Sequence, residues 1–132
     1  MNEQSFVLQN LKYEYLEVIG NVRNRTSWDM VLVTSHIAWG KFDEGKSPVG
    51  VPANGVMEFV ARGRDSSPTG TEGYAKWVLK GHPHGEVTIT AFFNNPAVGS
   101  CEARIECNPK NIVSIQVEGK SQNSFHPVYT IG

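Results

Sequence analysis

The sequence predicts an all-β protein, an antiparallel β-sandwich, and three observations carry that expectation. Short apolar runs recur at roughly 8–12-residue spacing with turn residues between them, the signature of a sandwich or barrel. In residues 86–93, Val87, Ile89, Ala91 and Phe93 share one face while Thr88, Thr90 and Phe92 share the other, a half-buried strand. Composition agrees: 39% of residues are apolar, 19% are charged and 13 are glycine, a β-rich globular balance.

Taken in order, the first dozen residues are ambiguous. Val7, Leu8, Leu11 and Tyr15 fit a helical stripe, but the stretch is short and uncapped. Leu16-Glu17-Val18-Ile19 then leads through Asn21-Val22-Arg23 to the turn cluster Asn24-Arg25-Thr26-Ser27. Residues 28–37 read as a strand, followed by Ala38-Trp39-Gly40-Lys41-Phe42. A polar loop over 43–54 carries Pro48 and Pro52, and Gly55 introduces a strand ending at Ala61. Trp77-Val78-Leu79-Lys80 and the strand over 86–93 flank a Gly/Pro turn over 81–85, the form of a hairpin. A second shaped loop covers 94–100. Strand signals recur at 102–105, 112–117 and 128–131, with a turn over 119–124. There is no internal repeat, low-complexity tract or linker, so residues 1–132 read as one domain, long enough to bury about two-thirds of its unfolded surface.

The most conspicuous stretch runs over residues 62–74. Three glycines, a proline and several hydroxyl residues punctuate it, and between Gly63 and Gly73 only Pro68 is apolar. Its composition predicts a shaped surface loop rather than a strand. Short polar side chains, glycine-freed backbone and the charges of Arg64, Asp65 and Glu72 suit it to hold a polar head group.

Charge excludes some functions. Twelve basic and thirteen acidic side chains leave a net charge of −1, so no long-range field would draw the chain to nucleic acid or an anionic bilayer. Any membrane it binds must be recognised by specific contacts or inserted apolar groups. The N-terminus has neither a basic nor a long apolar segment of the kind that directs export, and no run approaches the ~18 apolar residues of a membrane helix. The expectation is a product made in the cytosol without a classical signal. Cys101 and Cys107 lie six apart; on one strand they are too distant to join, whereas a hairpin would bring them together, and free thiols are the favoured reading.

Motifs for chemistry are weak. His82 and His84 flank Pro83 in a turn, but no third or fourth ligand lies at a zinc-site spacing. There is no Gly-x-Ser-x-Gly elbow, and Asp65 with Glu72 are better read as loop acids than as a glycosidase pair. Gly70-x-x-Gly73 lacks the lysine of a phosphate loop. Neither an enzyme nor a cofactor is expected. The aromatics say more: Trp28, Trp39, Trp77, Tyr13, Tyr15, Tyr74 and Tyr129 serve membrane interfaces and sandwich cores equally well. Trp77 lies in an apolar run and is expected in the core. Trp28 borders a polar turn and Trp39 precedes Gly-Lys, which favours the surface for both.

Five blocks in order resemble the aegerolysin family, over roughly Tyr15 to the C-terminus, with residues 1–14 outside the likeness. They are Trp39-Gly40-Lys41, Gly63-Arg64, Thr69-Gly70-Thr71-Glu72-Gly73, Phe92-Phe93-Asn94-Asn95-Pro96 with Gly99-Ser100, and Val128-Tyr129-Thr130-Ile131. The branch resembled is bacterial, the small component of binary insecticidal crystal proteins. The resemblance implies a non-enzymatic β-sandwich that recognises lipid of the target-cell membrane, recruits a larger pore-forming partner, and leaves room for a homo-oligomer. It implies release by a non-classical route or lysis. Head-group contacts would fall to Trp39, Lys41, Arg64, Tyr74 and Trp28, with the family's loop acid represented by Thr69 in alignment or by Glu72 three residues on. Ala97 and Val98 stand where fungal members carry a second tryptophan. The alternative from another class is a soluble carbohydrate-binding sandwich that stacks the same aromatics on sugar rings.

Overall fold

The structure is a computed structural model and describes residues 16–63, 70–121 and 124–132, with backbone alone at 120 and 121. The ambiguous helical stripe at Val7, Leu8, Leu11 and Tyr15 lies outside the described residues. Nine strands are present among those described: β1 (Val18–Asn24), β2 (Met30–Trp39), β3 (Lys41–Phe42), β4 (Val56–Arg62), β5 (Thr71–Leu79), β6 (Thr88–Asn95), β7 (Glu102–Asn108), β8 (Ile115–Ser121) and β9 (Phe125–Ile131). They form two sheets, ordered β3-β4-β1-β9-β8 and β2-β5-β6-β7. All pairs are antiparallel except β1 with β9, which run parallel in the middle of the first sheet. Parallel pairing suits strands with both neighbours in place.

The sandwich forms because period-two alternation gives each strand one apolar face. In β6, Ile89, Ala91 and Phe93 point inward; in β9, Phe125, Tyr129 and Ile131 do. Between the sheets Phe59 meets Phe93 at 5.2 Å and Tyr129 at 6.5 Å, and Phe42 meets both Phe59 and Phe93 at 6.2 Å. Each such ring pair contributes about 0.5–1.5 kcal/mol beyond area burial. Two buried polar tips are satisfied by backbone, as burial requires. Tyr129 Oη donates to the Phe92 carbonyl at 2.7 Å, tying β9 to β6 across the sandwich, and Trp77 Nε1 donates to the Val49 carbonyl at 2.9 Å. Trp77 is a core residue, as its apolar setting predicts.

The structure departs from the sequence reading chiefly at strand ends. The expected loop over 62–74 is shorter, because Thr71, Glu72 and Gly73 already belong to β5. Their inward positions carry no apolar side chain: the Thr71 hydroxyl donates to the Leu16 carbonyl at 2.5 Å, and Gly73 has no side chain at all. A Cβ there would sit 2.3 Å from the His36 carbonyl oxygen, so β2 can approach only a glycine. Asn94 and Asn95 likewise belong to β6, β7 continues to Asn108, β8 starts at Ile115 and β9 at Phe125. Cys101 and Cys107 are free thiols, at either end of β7.

Candidate functional site

Three chain reversals converge at one end of the sandwich. At Gly40 the chain leaves the second sheet for the first, with φ of 97° that favours glycine. The link from β4 to β5 begins at Gly63 and re-enters the described chain at Gly70, where a Cβ would lie 2.9 Å from the Asn95 carbonyl oxygen. That contact seats it against the third reversal, residues 96–101. Beneath them Arg62 bridges two carboxylates, Asp43 at 2.6 Å and Glu17 at 3.2 Å. Asn95 Nδ2 donates to the Glu17 carbonyl at 3.0 Å. With the three side chains still 26–31% exposed, the ion cluster fixes geometry more than it adds stability.

Strand register then places side chains in rows across the outer face of the second sheet. Trp39 opposes Glu72, Glu72 opposes Asn94, and Asn94 opposes Glu102, so one row holds an indole, two carboxylates and an amide. The next row is His36, Tyr74, Phe92 and Arg104. Its rings are in touch: His36 and Tyr74 lie 5.7 Å apart, Tyr74 and Phe92 5.8 Å, and the Arg104 guanidinium stands 3.9 Å from the Phe92 centroid. Cross-strand aromatic and cation–π neighbours of this kind stabilise a sheet face and stiffen it. Trp39 remains 52% exposed at the edge of this surface, free to leave water for an apolar phase. Val98, at the tip of the 96–101 loop, is 71% exposed at the same end. Such an arrangement can hold a hydroxyl-bearing or polar head group by hydrogen bonds while an indole and a valine take up apolar contact.

Of the residues singled out in the sequence, the structure brings together Trp39, Glu72 and Tyr74. Lys41 lies just past the Gly40 corner, exposed and opposite Arg62 in the first sheet. Arg64 and Thr69 lie outside the described residues. Trp28 is elsewhere: the whole of β2, ten residues or about 33 Å, separates it from Trp39. It is half-buried, its ring 4.4 Å from His82 and its carbonyl accepting from Asn24 Nδ2 at 2.7 Å. His36, Arg104 and Glu102 have no linear signal, because only pairing puts residues so far apart into adjacent rows, whereas Phe92 is legible as an outward residue of the 86–93 alternation. Val98 had one, an apolar side chain in a Pro/Gly loop. Among the described residues no three His, Cys, Asp or Glu side chains gather to hold a metal.

No family model and no curated protein sequence matches the chain. Solved structures do resemble it. The lipid binding protein Nakanori superposes with a TM-score of 0.76 at 12% identity, over 98% of this chain and 78% of that one. IP-1A from Alcaligenes faecalis gives 0.68 at 15% identity over 91% and 94%, and the RahU protein in complex with TRIS gives 0.63 at 14% over 88% and 93%. At these identities the likeness is one of fold, and that fold is the aegerolysin-like β-sandwich expected from the sequence.

Proposed function

We propose that the protein is a non-enzymatic, membrane-lipid-recognising subunit that acts with a larger pore-forming partner as a cytolytic or insecticidal toxin. The observation that carries the reading is the half-exposed Trp39, set beside Glu72 and the Tyr74 row at the end where three loops converge. The shared fold with a protein described as lipid binding supports it. The head group would be held by Glu72 and Asn94 with Lys41 just past the Gly40 corner, Arg64 and Thr69 being further contacts expected from the sequence alone, while Trp39 and Val98 enter the interface. With a net charge of −1, binding should depend little on salt, unlike association driven by counterion release.

The test is co-sedimentation with vesicles of phosphatidylcholine alone, with sphingolipid, and with sphingolipid plus sterol, at low and high salt and with free monosaccharides as competitors. Lipid-dependent pelleting that survives salt and sugars is the expected result. A collapse in high salt would remove this mechanism. One observation favours a second reading: the row of Trp39, Glu72, Asn94 and Glu102 also suits a sugar ring, with the indole stacked on its face and the acids and amide on its hydroxyls. Binding abolished by sugars, with no binding to bare vesicles, would move the assignment to a carbohydrate-binding sandwich.

A further inference from the structure

A groove of about 980 Å³ extends from the outer face of the second sheet to the chain that follows β7, away from the Trp39 row. Its volume is within the range of small-molecule sites, about 300–1,000 Å³. Register fixes the floor. Thr90 stands between Lys76 and Glu106 on the neighbouring strands, and Thr88 stands opposite Asn108. Since β6 is an inner strand, Lys76 on one side and β7 on the other are each about 5 Å away, and the two rows are about 7 Å apart. Two hydroxyls, an amide and a carboxylate thus face one space, more hydrogen-bonding groups than a bare anion uses. Ile112 and Val113, both half-buried, add an apolar wall, and Lys110 stands beside them. Charge narrows the choice. Glu106 is ion-paired with Arg104, whereas Lys76 and Lys110 make no ion pair among the described residues. Lys76, Arg104 and Lys110 against Glu106 leave two positive charges uncompensated, on a chain whose net charge is −1.

We propose that this groove binds an acidic sugar, a pyranose carrying a carboxylate or sulfate, at a site separate from the Trp39 row. The ring would lie over β6. Its anionic substituent would pair with Lys76, on the β5 side and two strands or about 10 Å from Glu106, with Lys110 adding attraction from the opposite wall. The ring hydroxyls would bond Thr88, Thr90 and Asn108, and one would donate to the Glu106 carboxylate that Arg104 holds in place. A bare phosphate would leave those floor groups unused, and a neutral sugar would leave the two lysines unpaired. The groove stands two rows, about 13 Å along β5, from the row of Trp39 and Glu72, so a lipid and a sugar can be held at once. The site goes beyond the proposed function and does not require it.

The probe is glucuronic acid, with glucose as the neutral control and inorganic phosphate as the anion control. Titration into the full chain, followed by amide chemical shifts, should give saturable changes confined to Lys76, Thr88, Thr90 and 105–115. Affinity should exceed that for glucose at least about tenfold and fall with salt. Lys76→Gln removes the charge and Thr90→Val a hydroxyl. Each should weaken binding about tenfold with the thermal midpoint kept, and Lys76→Arg should restore most of it. Should either variant unfold, Lys110→Gln, at an exposed loop position, should still weaken binding. The proposal is overturned by no saturable change, by equal binding of glucuronic acid and glucose, or by phosphate binding as tightly. Changes centred on Trp39, or variants that bind like the parent, overturn it too. Vesicles of phosphatidylcholine with and without a glycolipid bearing glucuronic acid identify the source. A gain from the glycolipid that Lys76→Gln loses places the sugar on a lipid, and binding of the free sugar without that gain places it on a soluble or protein-linked glycan; both support the site. Sugar binding without binding to any of the sphingolipid vesicles would sink the membrane reading alone, and the reverse would sink only the groove.

Discussion

Trp39→Ala separates anchoring from folding, and its size can be worked from the structure. A buried tryptophan covers about 150–250 Å², so a side chain still 52% exposed has roughly 100 Å² left to remove from water. At about 25 cal/mol per Å², complete insertion is worth about 2.5 kcal/mol. Since about 1.4 kcal/mol is a factor of ten, the variant should bind vesicles between about tenfold and a hundredfold more weakly. The same exposure limits the cost to folding, because a side chain at the rim of a sheet contributes within about 1 kcal/mol. Vesicle co-sedimentation and urea unfolding of one preparation read the two quantities together. Partition within about twofold of the parent, with unfolding unchanged, would refute the anchoring role of Trp39 and the site built around it.

Three further outcomes follow from the packing. Trp28→Ala should leave vesicle binding unchanged, since Trp28 sits at the other end against His82, but lower stability by about 1–3 kcal/mol through lost packing; weaker binding would show that the wrong end was chosen. Gly73→Ala puts a Cβ 2.3 Å from the His36 carbonyl oxygen and should cost about 1–3 kcal/mol by urea unfolding, weakening vesicle binding as β2 is displaced beside Trp39. Tyr129→Phe removes the hydrogen bond to the Phe92 carbonyl and should cost about 1–2 kcal/mol. Burial also pushes the Tyr129 phenol well above the ordinary tyrosine range. The unfolded chain therefore loses that proton first, and stability is full below about pH 10 and falls as pH rises beyond it, a slope the phenylalanine variant should lose in part.

The fold was legible where alternation is complete. Residues 86–93 announce an inward face of Val87, Ile89, Ala91 and Phe93, and all four are buried. Trp77 inside an apolar run went to the core for the same reason. Legibility failed where an inward position is filled without a hydrophobic group. Thr71 and Gly73 are buried in β5, one through a hydroxyl bonded to backbone and the other through close approach of β2, so the segment reads as loop by composition. The parallel pairing of β1 with β9 joins segments at opposite ends of the chain, and nothing local in either specifies its partner or direction.

The site separates two tryptophans that local sequence cannot. Trp28 and Trp39 both adjoin polar or glycine residues, and each could reach the surface on that ground. Pairing decides between them. Met30 opposite Leu79 and Trp39 opposite Glu72 fix β2 along the full length of β5, which sends the two indoles to opposite ends. At one end Trp28 meets the 80–87 hairpin through His82 and is half covered. At the other, β2 ends opposite Glu72 and turns through Gly40 into a different sheet, and among the described residues no strand lies over the Trp39 side chain. Its exposure follows from its outward position on an edge strand, just before the chain exchanges sheets at Gly40. The Trp-Gly-Lys order couples an uncovered indole to the one residue that can make the corner, which ties the candidate anchor to the topology of the fold.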